Sequence, residues 1–158
     1  MQRLIFLLFT LIFILSCTKD PEKNQLLDLK IDGQYFSFNG TAEKYTDYVN
    51  DLKSACEYQI YNHDRHSFLI TAYDNTFTKV IFLFPDFSAQ YVVQLEGGQS
   101  KTYEAVSGQF RILGGEHGNL RGDFNFKAKN VLNALDSVMI SEGYFDIYLD
   151  AYDRTFPK

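Results

Sequence analysis

Cys17 is the residue whose chemistry its neighbours define most closely in this 158-residue chain. Small Ser16 precedes it, after an apolar run from Leu4 to Leu15 broken only by Thr10, and Met1-Gln2-Arg3 supplies a short positive start. This is the pattern of a bacterial lipoprotein leader, in which the thiol forms a thioether to diacylglycerol before the bond preceding it is cut. Ser16 is small enough to enter a peptidase site, whereas Leu15 is bulkier than is usual one place earlier. Twelve helical residues rise about 18 Å, well short of a ~30 Å hydrocarbon core, so the run reads as a leader and not a span. Residues 1–16 are therefore predicted to be a signal peptide and 17–25 a lipidated tether, reaching at most about 28 Å over its eight free residues. At about 0.8 kcal/mol per buried methylene, several acyl chains would hold the protein to a membrane in effect permanently.

The remaining chemistry is sparse. His63-Asp64-Arg65-His66 places two imidazoles and a carboxylate within four residues, so His63, Asp64 and His66 are the metal candidates and His63/His66 the candidate hydrolase centre. Arg65 stands among them with no fourth ligand in evidence, and polar hairpin tips of this kind are common, so neither a metal nor a cofactor is expected. With Cys17 acylated, Cys56 has no partner in the chain; it lies in phase with Tyr58 and Ile60, as a buried and inert thiol would. Gly114-Gly115-Glu116-His117-Gly118 lacks the Gly-Lys-Ser/Thr of a phosphate loop and reads as a hairpin turn. No Gly-x-Ser-x-Gly elbow occurs, no pair of carboxylates stands out, and the chain is expected to be non-catalytic. Tyr144, Tyr148 and Tyr152 would form an outward aromatic stripe for sugar or protein contact, although half-buried sheet tyrosines follow the same spacing and the chain has no Trp.

Cleavage before Cys17 leaves 142 residues, enough for one domain with a real core. Without Arg3 there are 14 basic against 20 acidic residues, a net charge of −6, and the basic residues do not cluster. Nucleic acid finds no electrostatic footing on such a surface.

These residues must be positioned by strands, because nearly everything after the tether alternates with period two and is broken by Gly, Asn and Asp. Asp32-Gly33 predicts a two-residue turn with Leu29 opposite Phe36 and Leu27 opposite Phe38. Residues 105–114 pair with 120–129 in one of two even registers; Phe110 on Phe124, Arg111 on Asp123 and Gln109 on Asn125 is preferred, because the neighbouring register sets Arg111 against Arg121. Further strands are expected at 54–62, 67–74, 78–84, 89–95 and 137–149, with a bulge at Gly143 and an inward apolar run at 79–84. In the last strand Phe145, Ile147 and Leu149 would face in, and Tyr144, Asp146 and Tyr148 out. Ala42, Tyr45, Val49 and Leu52 also fit a helical stripe, but a strand near 41–47 followed by a turn is preferred. The expected fold of residues 26–158 is a single all-β domain, an antiparallel β-sandwich of about eight to ten strands. The alternative is a closed lipocalin-like barrel, which would leave an internal cavity of several hundred Å³.

A Ser-Cys leader end with an acidic tether, then Ile31-Asp32-Gly33-Gln34-Tyr35-Phe36, Val106-Ser107-Gly108-Gln109-Phe110, Gly122-Asp123-Phe124-Asn125-Phe126 and Ile140-Ser141-Glu142-Gly143-Tyr144-Phe145-Asp146-Ile147 follow in order. Over most of the mature chain this resembles a group of small all-β lipoproteins of unknown function from Bacteroidetes. The resemblance implies a lipoprotein sandwich and carries no catalytic residues. In that phylum Lys19, Asp20 and Glu22 would be a loose surface-export signal, interrupted by Pro21, or else simply a soluble tether; Asp136-Ser137-Val138 resembles its three-residue O-glycosylation site. The sequence thus leads to the expectation of a lipoprotein held at the outer membrane by lipid on Cys17, acting as a binding or envelope-interaction module. Its partner would be another envelope protein or a glycan. The alternatives are a lipocalin-like carrier of a small apolar ligand and a hydrolase near His63/His66.

Overall fold

The computed structural model describes residues 23, 25–76, 78–114 and 118–156, and the domain over them is all-β. The strands are β1 (Gln25–Ile31), β2 (Gln34–Asn39), β3 (Thr41–Val49), β4 (Leu52–Tyr61), β5 (His66–Asp74), β6 (Ile81–Leu83), β7 (Phe87–Gln94), β8 (Ser100–Gly114), β9 (Asn119–Asn130) and β10 (Ser137–Phe156). Among the described residues the only helical turn is Glu96–Gly98, and no helix is long and apolar enough to cross a membrane.

Local turn chemistry sets the first pairing. Asp32 and Gly33 both have positive φ, 48° and 85°, the type I′ turn whose twist suits two adjacent strands. Leu27 then faces Phe38, Leu29 faces Phe36 and Ile31 faces Gln34, as the sequence predicts. The β8–β9 register is also the predicted one, with Phe110 on Phe124 and Arg111 on Asp123. Arg111 Nε donates to Asp123 Oδ1 at 2.7 Å, so opposite charge fixes the register that aromatic parity allows. Bulges shift it at both ends, between Ala105 and Ser107 and between Ile112 and Gly114.

Two long strands make the fold sandwich-like. The first part of β10 lies between β1 and β9, and its last eight residues pair with β3 in parallel. Similarly, the start of β8 pairs with β7 and its later part with β6, while β9 follows the opposite edge. Each of these strands therefore serves both layers, and the pairings β10–β3–β4–β5–β7–β8–β9–β10 close into a ring. Across the layers, Phe38 of β2 meets Phe68 of β5 at 5.8 Å although the two strands share no ladder. Phe82, Phe110, Phe124, Phe126 and Phe145 are fully buried between the layers and form one core with Leu27, Leu29 and Ile140.

The structure bears out some of these expectations and corrects others. Residues 41–49 are strand throughout, paired on both sides by β10 and β4, and Asn50-Asp51 makes the turn with positive φ at both residues. The helical stripe dissolves, because Ala42 is buried while Leu52 is exposed. The inward run at 79–84 reduces to Phe82, since β6 is an edge strand with one covered face, and Val80, Ile81, Leu83 and Phe84 are exposed. Gly143 does mark a bulge, between Ile140 and Gly143 in the β9–β10 ladder. Asp146 lies on the outer side but is buried, covered by Asn119 and Arg121, which donate to it at 3.0 and 2.9 Å. β10 runs to Phe156, seven residues beyond its expected end at 149, and its pairing with β3 is parallel where an antiparallel sheet is expected. The turn predicted at Gly114-Gly115-Glu116-His117-Gly118 lies partly outside the described residues.

Candidate functional site

The outer face of β3, β4 and the end of β10 carries a connected cluster of seven interacting polar side chains. Period two sends Ala42 and Thr46 inward and leaves Glu43, Tyr45 and Asp47 outward on β3. The parallel register sets Asp150 beside Glu43, Tyr152 beside Tyr45 and Arg154 beside Asp47, and the β4 ladder adds Gln59 beside Glu43 and Glu57 beside Tyr45. Tyr45 and Tyr152 stack with ring centres 5.4 Å apart, and the Arg154 guanidinium lies 4.6 Å from the Tyr45 ring centre.

Hydrogen bonds fix this cluster. The Tyr45 hydroxyl donates to Glu43 Oε2 at 2.6 Å and the Tyr61 hydroxyl to Oε1 at 3.0 Å, so both carboxylate oxygens are held. Arg154 donates to Asp47 at 2.7 Å and to Glu57 at 2.8 Å, and Gln59 donates to the other oxygen of Glu57. Donation to Glu43 pushes the Tyr45 hydroxyl up to about 12. Burial, and then the same carboxylate, raise Tyr61. Asp47 and then Glu57 raise Arg154 above its already high value. Near neutral pH both tyrosines are therefore donors and Arg154 is a cation.

Glu57 is 6 % exposed, so Arg154→Ala leaves a buried carboxylate with only Gln59 to satisfy it. The expected loss is about 2–3 kcal/mol, below the figure for a fully buried pair because Arg154 is itself partly solvated. Urea midpoints at constant slope measure it, and a loss below about 0.5 kcal/mol would mean that water already does Arg154's work.

Beside the cluster opens a cleft of about 390 Å³, lined by Glu43, Gln59, Tyr61, His63, Ser67 and Gln90 among others. A second cleft, of about 320 Å³, adjoins it across Leu69 and Gln90 and reaches Phe84, Ser88 and Glu104. Aromatic faces, amides, a hydroxyl and a fixed carboxylate can bind and orient a polar ligand here.

Cys17, Lys19, Asp20 and Glu22 lie outside the described residues. His63 and His66 diverge: His63 is exposed and turns to the Tyr61 ring at 5.1 Å, while His66 turns inward to the Tyr91 hydroxyl at 2.7 Å and the Phe36 ring. Burial, and then Arg65, lower the His66 pKa. Asp64 stays exposed in the loop, and among the described residues no group of three or more His, Cys, Asp or Glu is arranged to hold a metal ion. Cys56 is a buried free thiol. The three tyrosines do not share one environment. Tyr144 is half-buried opposite Asp28 and Asp123, Tyr148 carries Lys23 over its ring at 4.1 Å, and only Tyr152 joins the cluster. Asp136 is held by Lys101, Tyr103 and Asn130, with Ser137 exposed beside it.

Sequence reasoning missed Glu43, Tyr45, Glu57, Tyr61 and Arg154. The first two lay in the segment with two competing periodicities, and Arg154 beyond the expected end of the last strand. Residues 151, 153 and 155 are exposed, so no apolar alternation marks that extension. Comparison of the chain with protein-family models, curated proteins and solved structures returned no match.

Proposed function

We propose that the mature protein is a lipid-anchored, non-catalytic binding module of the cell envelope, held at the outer membrane through acylated Cys17. The outer face of β3, β4, β5 and β7 is its binding surface. The observation that carries the binding part is the Tyr45–Glu43–Tyr61 cluster: hydrogen bonds hold its rings and carboxylate in place beside an open cleft, so a ligand meets groups that need little further ordering. The leader-like run before Ser16-Cys17 and the polar residues after it support the anchored part.

Carriage of a small apolar ligand has less support, since phenylalanine rings fill the space between the layers. A hydrolase has less still, because His63 and His66 face apart.

Two measurements test the reading. Mass spectrometry of the membrane fraction is expected to show an amino-terminal Cys17 carrying diacylglycerol; an unmodified terminus or a retained leader refutes the anchor. Photo-crosslinking from a probe at Tyr61 in intact envelopes is expected to capture a defined component, and capture no greater than from a probe at exposed Tyr35 on β2 removes the binding surface.

A further inference from the structure

We infer that the two adjoining clefts bind a neutral oligosaccharide laid across the strands, a reading that rests on the outer face being the binding surface. The clefts share Leu69 and Gln90 and so form one trough. It crosses from β3 over β4, β5 and β7 to β8, four interstrand steps or about 19 Å, which is room for about four pyranose rings.

The lining selects by exclusion as well as by fit. Neither cleft is lined by Lys or Arg among the described residues, and Glu43 and Glu104 lie towards its two ends, so anionic ligands are repelled. A peptide adding as a strand needs a free edge, yet β4, β5 and β7 each have a partner on both sides. The trough is open to solvent, so an acyl chain lying in it would stay wetted.

A sugar ring has a polar rim and an apolar face, and the trough offers both. Ser67 and Gln90 present hydrogen-bonding groups, while Tyr61, Leu69 and Phe84 present apolar surface. Each Glu43 oxygen already accepts one tyrosine hydroxyl and keeps a lone pair for a sugar hydroxyl, in a geometry fixed before the ligand arrives. With tyrosine in place of tryptophan, each ring contact is modest, and affinity comes from several subsites filled together.

The test is calorimetric titration of the mature lipidated protein in detergent with cellotetraose, mannotetraose, laminaritetraose and maltotetraose, and with tetragalacturonate. At least one neutral tetrasaccharide is expected to bind below millimolar concentration, its disaccharide at least tenfold more weakly, and tetragalacturonate not at all. Gln90→Leu touches both clefts and is expected to weaken binding about tenfold at an unchanged melting temperature, while Tyr35→Ala leaves it alone. Silence from all four neutral sugars, preference for tetragalacturonate, or wild-type affinity in Gln90→Leu overturns the inference. If the Tyr61 probe still captures an envelope component while every sugar is silent, the glycan falls and the binding surface stands; if both fail, both fall.

Discussion

Phe145→Ala is expected to remove about 3–5 kcal/mol of stability, which for a domain of this size lowers the melting temperature by roughly 10 °C or more. The ring is fully buried on the half of β10 that lies between β1 and β9. It stacks on Phe110 at 5.5 Å, nearly parallel, and meets Phe124 at 6.4 Å. Truncation leaves a void walled by two other rings, each held by its own ladder, so the site can collapse only in part. Thermal and urea unfolding would measure the loss. A change below 1 kcal/mol would show that the core repacks freely and that the ring does not join these strands.

Gly122→Ala is the second large effect, and it concerns the same ring from beneath. Gly122 pairs with Phe145 on one side and Ile112 on the other, and a Cβ there would overlap both the Phe145 ring and the Arg111 carbonyl oxygen. The ring can rotate away, but the carbonyl is backbone in the adjacent strand and cannot yield alone. Alanine gains about 0.4–1 kcal/mol by restricting the unfolded chain, against an overpacking cost of about 1–3 kcal/mol or more. A net loss of about 2 kcal/mol is expected. In the Phe145→Ala background the same substitution should cost at least about 1 kcal/mol less, because one of its two obstacles is gone. Strict additivity in that double-mutant cycle would refute the close approach.

Much of the sheet was legible because its signals are local. Asp32-Gly33 has the positive φ pair that a two-residue hairpin requires, so the turn itself sets the register of β1 on β2. In β8 and β9, core parity left two registers and the Arg111–Asp123 charge pair chose between them. Cys56 was legible as buried from its phase with Tyr58 and Ile60. The run 79–84 was misread except at Phe82, because an edge strand can leave apolar residues uncovered where hydropathy predicts burial. Of the proposed binding face, Tyr152 and His63 were visible as candidates, but with no indication of what either would meet.

By itself the sequence determined an all-β chain, the Asp32-Gly33 hairpin and the register of β8 on β9, since each follows from interactions within a few residues or across one turn. The tertiary structure alone decided that the end of β10 runs parallel beside β3, bringing Arg154 onto Asp47 across 107 positions of chain and onto Glu57 across 97. No turn joins those segments, so no local rule selects their pairing. That pairing closes the ring and covers the edge of β3 that β4 leaves free, and the tyrosine–carboxylate face is assembled with it.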